Sequence, residues 1–289
     1  MAACSSPDDR SDSASESPLY LTTILPFRAI LAPVVGDRGT VEVLLDRGGS
    51  PHTYEPRPSD LRAAQSSTLL VYGAQHLDGW AAELSAPARV ALMDLVPATE
   101  QLAWDGIDHD HGHGADADPH FWTDPMAVRT MLPALVDTLC QFDAAGCATY
   151  RANADSFATA LVALDAELQA LMEPAERMPV LLSQPFFRYF MQRYGPQLVA
   201  IIEPQPAKEP TPRALQSLIR TARERNVRAI LVQEQLPARS AQAVAEATGV
   251  PLLRLDPIGG TAGRRTYSEL LLYNARTVQN ALKPTDSDA

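Results

Sequence analysis

Apolar positions along this chain fall into two rhythms, short runs rich in β-branched residues and longer stretches with helical period. Leu19–Leu25 and Val41–Leu45 are runs of the first kind and read as strands. Ser59-Asp60 gives an N-cap signal for a short helix over 59–66, and Thr68–Tyr72, ended by Gly73, reads as a buried strand. Helical period returns over Leu77–Leu84, and Ala88–Asp94 reads as a strand. Periodicity is lost between Val96 and Pro119, then Pro125 opens a helix to about Phe142, proline being tolerated in a first turn. Past the Gly146 break, Cys147–Glu173 holds no Gly or Pro. Phe157, Leu161, Leu164, Leu168 and Leu171 recur there at spacings of four and three, one apolar stripe. Such a helix is roughly 40 Å long, the span of a whole domain.

The second half repeats the alternation. Val180–Leu182, Leu198–Ile202, Ala229–Val232 and Leu252–Leu255 read as strands; Phe186–Tyr194, Thr211–Asn226, Ser240–Thr248 and Tyr267–Leu282 read as helices. Strands alternating with helices predict parallel sheets, an α/β fold class. The repeat on either side of the long helix predicts two such lobes joined by it. Asp256 then falls just past the carboxyl end of a strand, where open α/β sheets bind ligands.

A length of 289 residues gives room for two domains. The net charge of −11 argues against nucleic acid or an anionic membrane surface as partner and favours cations, a weak preference once salt screens it. No run of 18 apolar residues exists, so the sequence encodes no transmembrane helix. Met1-Ala2-Ala3-Cys4 resembles the end of a bacterial lipoprotein signal with Cys4 as the lipidated residue, although the charged and apolar parts of a signal are missing upstream. Residues 5–18 have the Ser/Asp/Glu/Pro composition of a disordered tether. Cys140 and Cys147 flank a predicted turn. They close a small disulfide loop if the protein is exported, or stay buried thiols in a reducing compartment.

Candidate chemistry lies in three Pro-rich segments: Gly49-Ser50-Pro51-His52-Thr53-Tyr54-Glu55-Pro56, Asp118-Pro119-His120-Phe121-Trp122, and Leu255-Asp256-Pro257-Ile258-Gly259. Proline stiffens each loop, and two imidazoles with a carboxylate suit a borderline divalent cation such as zinc. Asp256 has a second reading, as the cap of the loop after its strand. Tyr54 and Trp122 are candidates for the cleft wall or for the core, and His76 reads as structural or surface. The tract Asp108–His113, with His109, His111 and His113, reads as a loop that touches metals weakly or has no role.

These segments, with Ser183-Gln184-Pro185-Phe186-Phe187-Arg188-Tyr189-Phe190, resemble the four ligand segments of the metal-binding, substrate-binding proteins of bacterial ABC importers for zinc and manganese (TroA-like fold). The likeness covers nearly everything after residue 18. It implies two α/β lobes (19–146 and 175–289, after a tether over 1–18) linked by a backbone helix over 147–174, with metal in the interlobe cleft. It further implies His52, His120, Gln184 and Asp256 as ligands, zinc as the leading ion with manganese as the other, an ABC importer permease as partner, an extracytoplasmic location and a monomer. The third ligand of the family is His in zinc proteins and Glu in manganese proteins, whereas here it is Gln184, a weaker neutral donor. At Gln233-Glu234-Gln235 the carboxylate is shifted by one from the position common in the family. Two competing readings are a metal-dependent hydrolase using a His/His/Asp site with Glu234 as base, and a metal-binding adhesin or buffer lipoprotein. The first lacks any His-Glu-x-x-His or Gly-x-Ser-x-Gly motif.

Overall fold

Two four-stranded sheets, each wholly parallel, organise the chain in a computed structural model that describes residues 17–45, 49–104, 117–205 and 208–282. The first contains β1 (Leu19–Ile24), β2 (Thr40–Leu45), β3 (Leu69–Tyr72) and β4 (Arg89–Ala91) in the order β2-β1-β3-β4. The second contains β5 (Pro179–Leu182), β6 (Gln197–Ile201), β7 (Ala229–Gln233) and β8 (Leu252–Leu255) in the matching order β6-β5-β7-β8. Central strands covered on both faces must be apolar throughout, and all five residues of β7 are buried.

Nine α-helices flank the sheets among the described residues: α1 (Leu25–Val35), α2 (Pro58–Ser66), α3 (Gln75–Asp78), α4 (Pro125–Phe142), α5 (Cys147–Met172), α6 (Arg188–Tyr194), α7 (Pro212–Glu224), α8 (Arg239–Thr248) and α9 (Tyr267–Leu282). The long helix α5 packs against α1 and α4 from the first half of the chain and against α6 and α9 from the second, so it joins two α/β lobes. Leu161, Leu164 and Leu168 of its stripe are buried, while Phe157 and Leu171 pack against the core from its edge. One apolar core runs continuously from Tyr20 and Phe27, through Leu164 and Leu168, to Leu231 and Val278. A large apolar junction of this kind holds lobes in one arrangement.

Three departures from the sequence pattern have physical causes. The apolar runs assign nothing between the first two strands, yet α1 lies there, burying Phe27, Ile30, Leu31, Val34 and Val35 although Pro33 sits inside it. The predicted strand Ala88–Asp94 is only three residues long, because β4 is an edge strand whose partner β3 ends at Tyr72. The predicted helix Leu77–Leu84 becomes α3 followed by a 3₁₀ turn at Gly79–Glu83. There the buried Asp78 turns its carboxylate back to accept from the Gly73 and Ala74 N–H groups and from Thr23 Oγ1.

Cys140 and Cys147 are disulfide-bonded across the turn between α4 and α5, their Cα atoms 4.9 Å apart. Within the turn Asp143 accepts a bidentate pair from Arg38 at 2.6 and 2.7 Å and a bond from the Tyr150 hydroxyl at 2.7 Å. The guanidinium of Arg38 holds the Asp143 carboxyl down at about 2. The tether, Cys4 and the His109–His113 tract lie outside the described residues.

Candidate metal centre

Loops at the carboxyl ends of both sheets enclose a cavity of about 320 Å³ between the lobes, the position where α/β sheets bind ligands. Its wall includes His52, Trp104 and His120 from the first half of the chain and Gln184, Glu203 and Gln233 from the second.

His52 sits in a single 3₁₀ turn, Pro51–Thr53, closed by the Thr53 N–H on the Ser50 carbonyl. The turn is anchored from outside: Trp80 Nε1 donates to the Pro51 carbonyl at 2.9 Å, and Trp80 packs on Tyr54, ring centres 4.9 Å apart. The Tyr54 hydroxyl in turn donates to Asp60 at the start of α2. Tyr54 therefore braces the histidine loop. His52 Nδ1 lies 3.0 Å from the His76 carbonyl oxygen. A carbonyl can only accept, so Nδ1 carries the proton and Nε2 keeps its lone pair. Burial, and then the neighbouring His120, lower its pKa to about 4, so the ring is neutral at physiological pH. The contribution of His76 is its main-chain oxygen.

His120 is buried and held in the same tautomer by a carboxylate. Its Nδ1 is 2.7 Å from Asp118 Oδ1, which also accepts the His120 main-chain N–H at 3.0 Å. Asp118 is wholly buried and takes Arg188 Nη1 on its other oxygen at 3.2 Å. The ring of Trp104 lies nearly parallel to His120, 6.1 Å away, and Trp122 packs on it at 5.3 Å. Trp122 is part of the core, and its Nε1 donates to the Pro257 carbonyl across the lobe junction. The centres of His52 and His120 stand 5.6 Å apart. A tetrahedral ion about 2.0–2.1 Å from each Nε2 places the two ring centres roughly 5 Å apart, so the spacing of the ring centres admits a shared ion.

The remaining expected ligands separate. Gln184 lines the cavity, two residues past β5, and its Nε2 donates to Glu203 Oε2 at 2.9 Å. Asp256 does not line it. Both oxygens of this buried carboxylate are taken: Oδ1 by Gln235 Nε2 and by the Ile258 and Gly259 N–H groups, Oδ2 by Arg264 Nη1 at 2.7 Å. Asp256 thus caps its own loop, and the expected convergence of His52, His120 and Asp256 is absent here; among the described residues no three His, Cys, Asp or Glu side chains cluster as a ready metal cage. Glu234 is likewise held by Arg264, at 2.8 Å.

Sequence reading missed Asp118 as the partner of His120, although the Asp-x-His spacing carried the signal. It also missed Glu203, whose placement depends on sheet register. One polar atom of the wall is unexplained: the Ser50 hydroxyl is buried without a hydrogen-bond partner. Two imidazoles whose Nδ1 atoms are already occupied, an amide, a carboxylate and a spare hydroxyl form an available donor set for a divalent cation.

The chain is similar to known metal-binding proteins. The profile of the family described as zinc-uptake complex component A, periplasmic (ZnuA), matches residues 21–281. The high-affinity zinc uptake system protein ZnuA of Paracoccus denitrificans is 29% identical over 292 residues, covering 89% of each chain. The manganese-binding lipoprotein MntA of Halalkalibacterium halodurans is 25% identical over 288 residues, 97% of this chain and 94% of that one. The solved periplasmic zinc-binding protein TroA of Treponema pallidum shares the fold, with a TM-score of 0.80 at 21% identity over 93% of this chain and all of that one. The chain belongs to the ZnuA family of metal-binding, solute-binding proteins.

Proposed function

We propose that this member of the ZnuA family captures a divalent transition metal outside the cytoplasm, zinc before manganese, and delivers it to the permease of an ABC importer. The observation that carries the reading is the pair His52 and His120, two imidazoles with ring centres 5.6 Å apart, each with Nδ1 occupied by an acceptor. Such rings offer Nε2 to a metal with little reorganisation, since the outer hydrogen bonds already fix their tautomer and direction. Imidazole donors favour zinc over manganese, which takes oxygen-rich sites. Gln184 lines the cavity from the opposite lobe.

Export is supported by the Cys140–Cys147 disulfide, because such bonds persist in oxidising compartments. We place the two lobes at 19–146 and 175–289 with 147–174 as the connecting helix, and take Cys4 as the site of a lipid anchor. The hydrolase reading is disfavoured because Glu234, its candidate base, is paired with Arg264.

Calorimetry on metal-stripped protein tests the proposal. One dominant zinc site is expected, strongly weakened by His52→Ala and by His120→Ala. Unchanged binding in both variants would place the site elsewhere.

A further inference from the structure

We propose that Glu203 supplies the carboxylate ligand to the bound ion and that Gln184 positions it, while Arg264 keeps Asp256 out of the donor set. The inference rests on the two-histidine site above and names its charged donor.

Sheet register carries the first step. Leu182 of β5 pairs with Ile201 of β6, and the pairing continues as Ile202 N–H bonds the Leu182 carbonyl and Glu203 N–H the Ser183 carbonyl. Gln184 and Glu203 therefore leave adjacent strand ends at the same level, both in the cavity wall, joined by the 2.9 Å amide–carboxylate bond. That bond uses one oxygen of Glu203 and directs the side chain without neutralising it. The other half of the same sheet is built in parallel, but with the opposite electrostatic outcome. Gln233 pairs with Leu255, so Glu234 and Asp256 follow side by side, and Arg264 binds both. Its guanidinium also lies over the Tyr273 ring, 4.2 Å from the centre. One pair of carboxylates is thus compensated by a fixed cation. Glu203, by contrast, has no ion pair among the described residues.

A divalent ion held only by two imidazoles and an amide would bring its whole charge into the cavity uncompensated. Burying charge without a partner is costly, and a carboxylate ligand removes much of that cost. Glu203 is the half-buried carboxylate available there; Glu209, also in the wall, is exposed and carries no comparable hydrogen bond among the described residues. The buried Ser50 hydroxyl, unpartnered in the same wall, is a spare polar group for whatever occupies the cavity.

The test is a zinc titration of the metal-stripped full chain against a chromophoric chelator, with cobalt(II) absorption as a second readout of the ligand set. Glu203→Gln should weaken zinc by at least the 10–100-fold typical of losing a partner just outside the ligands, and should alter the cobalt bands; Glu203→Asp should restore part of the affinity. Gln184→Ala should weaken zinc less and leave the cobalt band pattern in place, as befits a positioning residue. Arg264→Gln, which releases Asp256 while leaving it in the chain, should not tighten zinc. Wild-type affinity and spectrum in Glu203→Gln, or marked tightening in Arg264→Gln, would overturn the assignment. If His52→Ala abolishes binding in the same series, the two-histidine site survives that failure. If His52→Ala and His120→Ala bind as wild type, both readings fall.

Discussion

Asp118 Oδ1 stands 2.7 Å from His120 Nδ1, and the same carboxylate takes Arg188 on its other oxygen. A carboxylate fixed from behind in this way holds the imidazole in one tautomer and strengthens it as a donor. Removing the acceptor with Asp118→Ala should weaken zinc binding by roughly 10–100-fold, while Asp118→Asn, which keeps a carbonyl oxygen facing Nδ1, should cost less. Chelator competition on both variants checks the order.

His52 gives a pH signature. Its folded pKa of about 4 lies below the ordinary value near 6.5, so between these limits the unfolded chain binds the extra proton. Stability of the metal-free protein should therefore rise with pH across that window and be lost as pH falls towards 4. In the metal-free state the His52 ring signals should titrate near 4 by NMR. A midpoint near 6.5 would show that burial does not hold the ring neutral. His52→Gln should flatten the stability profile in the same range.

The disulfide closes a loop of about eight residues, for which chain entropy gives roughly 2–3 kcal/mol. Replacing both Cys140 and Cys147 with Ser should lower unfolding free energy by about that much without changing zinc affinity, since the bond lies away from the cavity. Thiol labelling of native protein should be blank at both positions until a reductant is added.

Leu168 is fully buried where α5 meets the shared core. Leu168→Ala should cost about 2–5 kcal/mol through lost burial and the cavity left behind. Because one core serves both lobes, chemical denaturation should remain a single transition with a lower midpoint.

Long, strongly patterned elements were legible in the sequence. The stripe on α5 and the apolar runs of β5 and β7 are set by burial, which the apolar pattern reports directly. Elements shaped by single contacts were not. Pro26 and Pro33 mask the helical spacing of Phe27, Ile30, Leu31, Val34 and Val35, and Asp78 ends α3 by folding back on Gly73. At the site, His52 and His120 were legible because proline marks their loops, and the structure brings them together. The division of carboxylates was not, since it depends on partners remote in sequence or beyond any local pattern. Arg264 claims Asp256 from eight residues on, and Gln184 meets Glu203 nineteen residues away through strand register. Asp256 accepts from the Ile258 and Gly259 N–H groups of its own loop, the geometry of its cap reading.

The most direct measurement is anomalous diffraction at the zinc edge from crystals of the metal-loaded protein. A single strong peak is predicted between His52 and His120, about 2.0–2.1 Å from each Nε2 as zinc–imidazole bonding requires. No peak in that cavity, or a dominant peak on other side chains with both histidines unligated, would contradict the account.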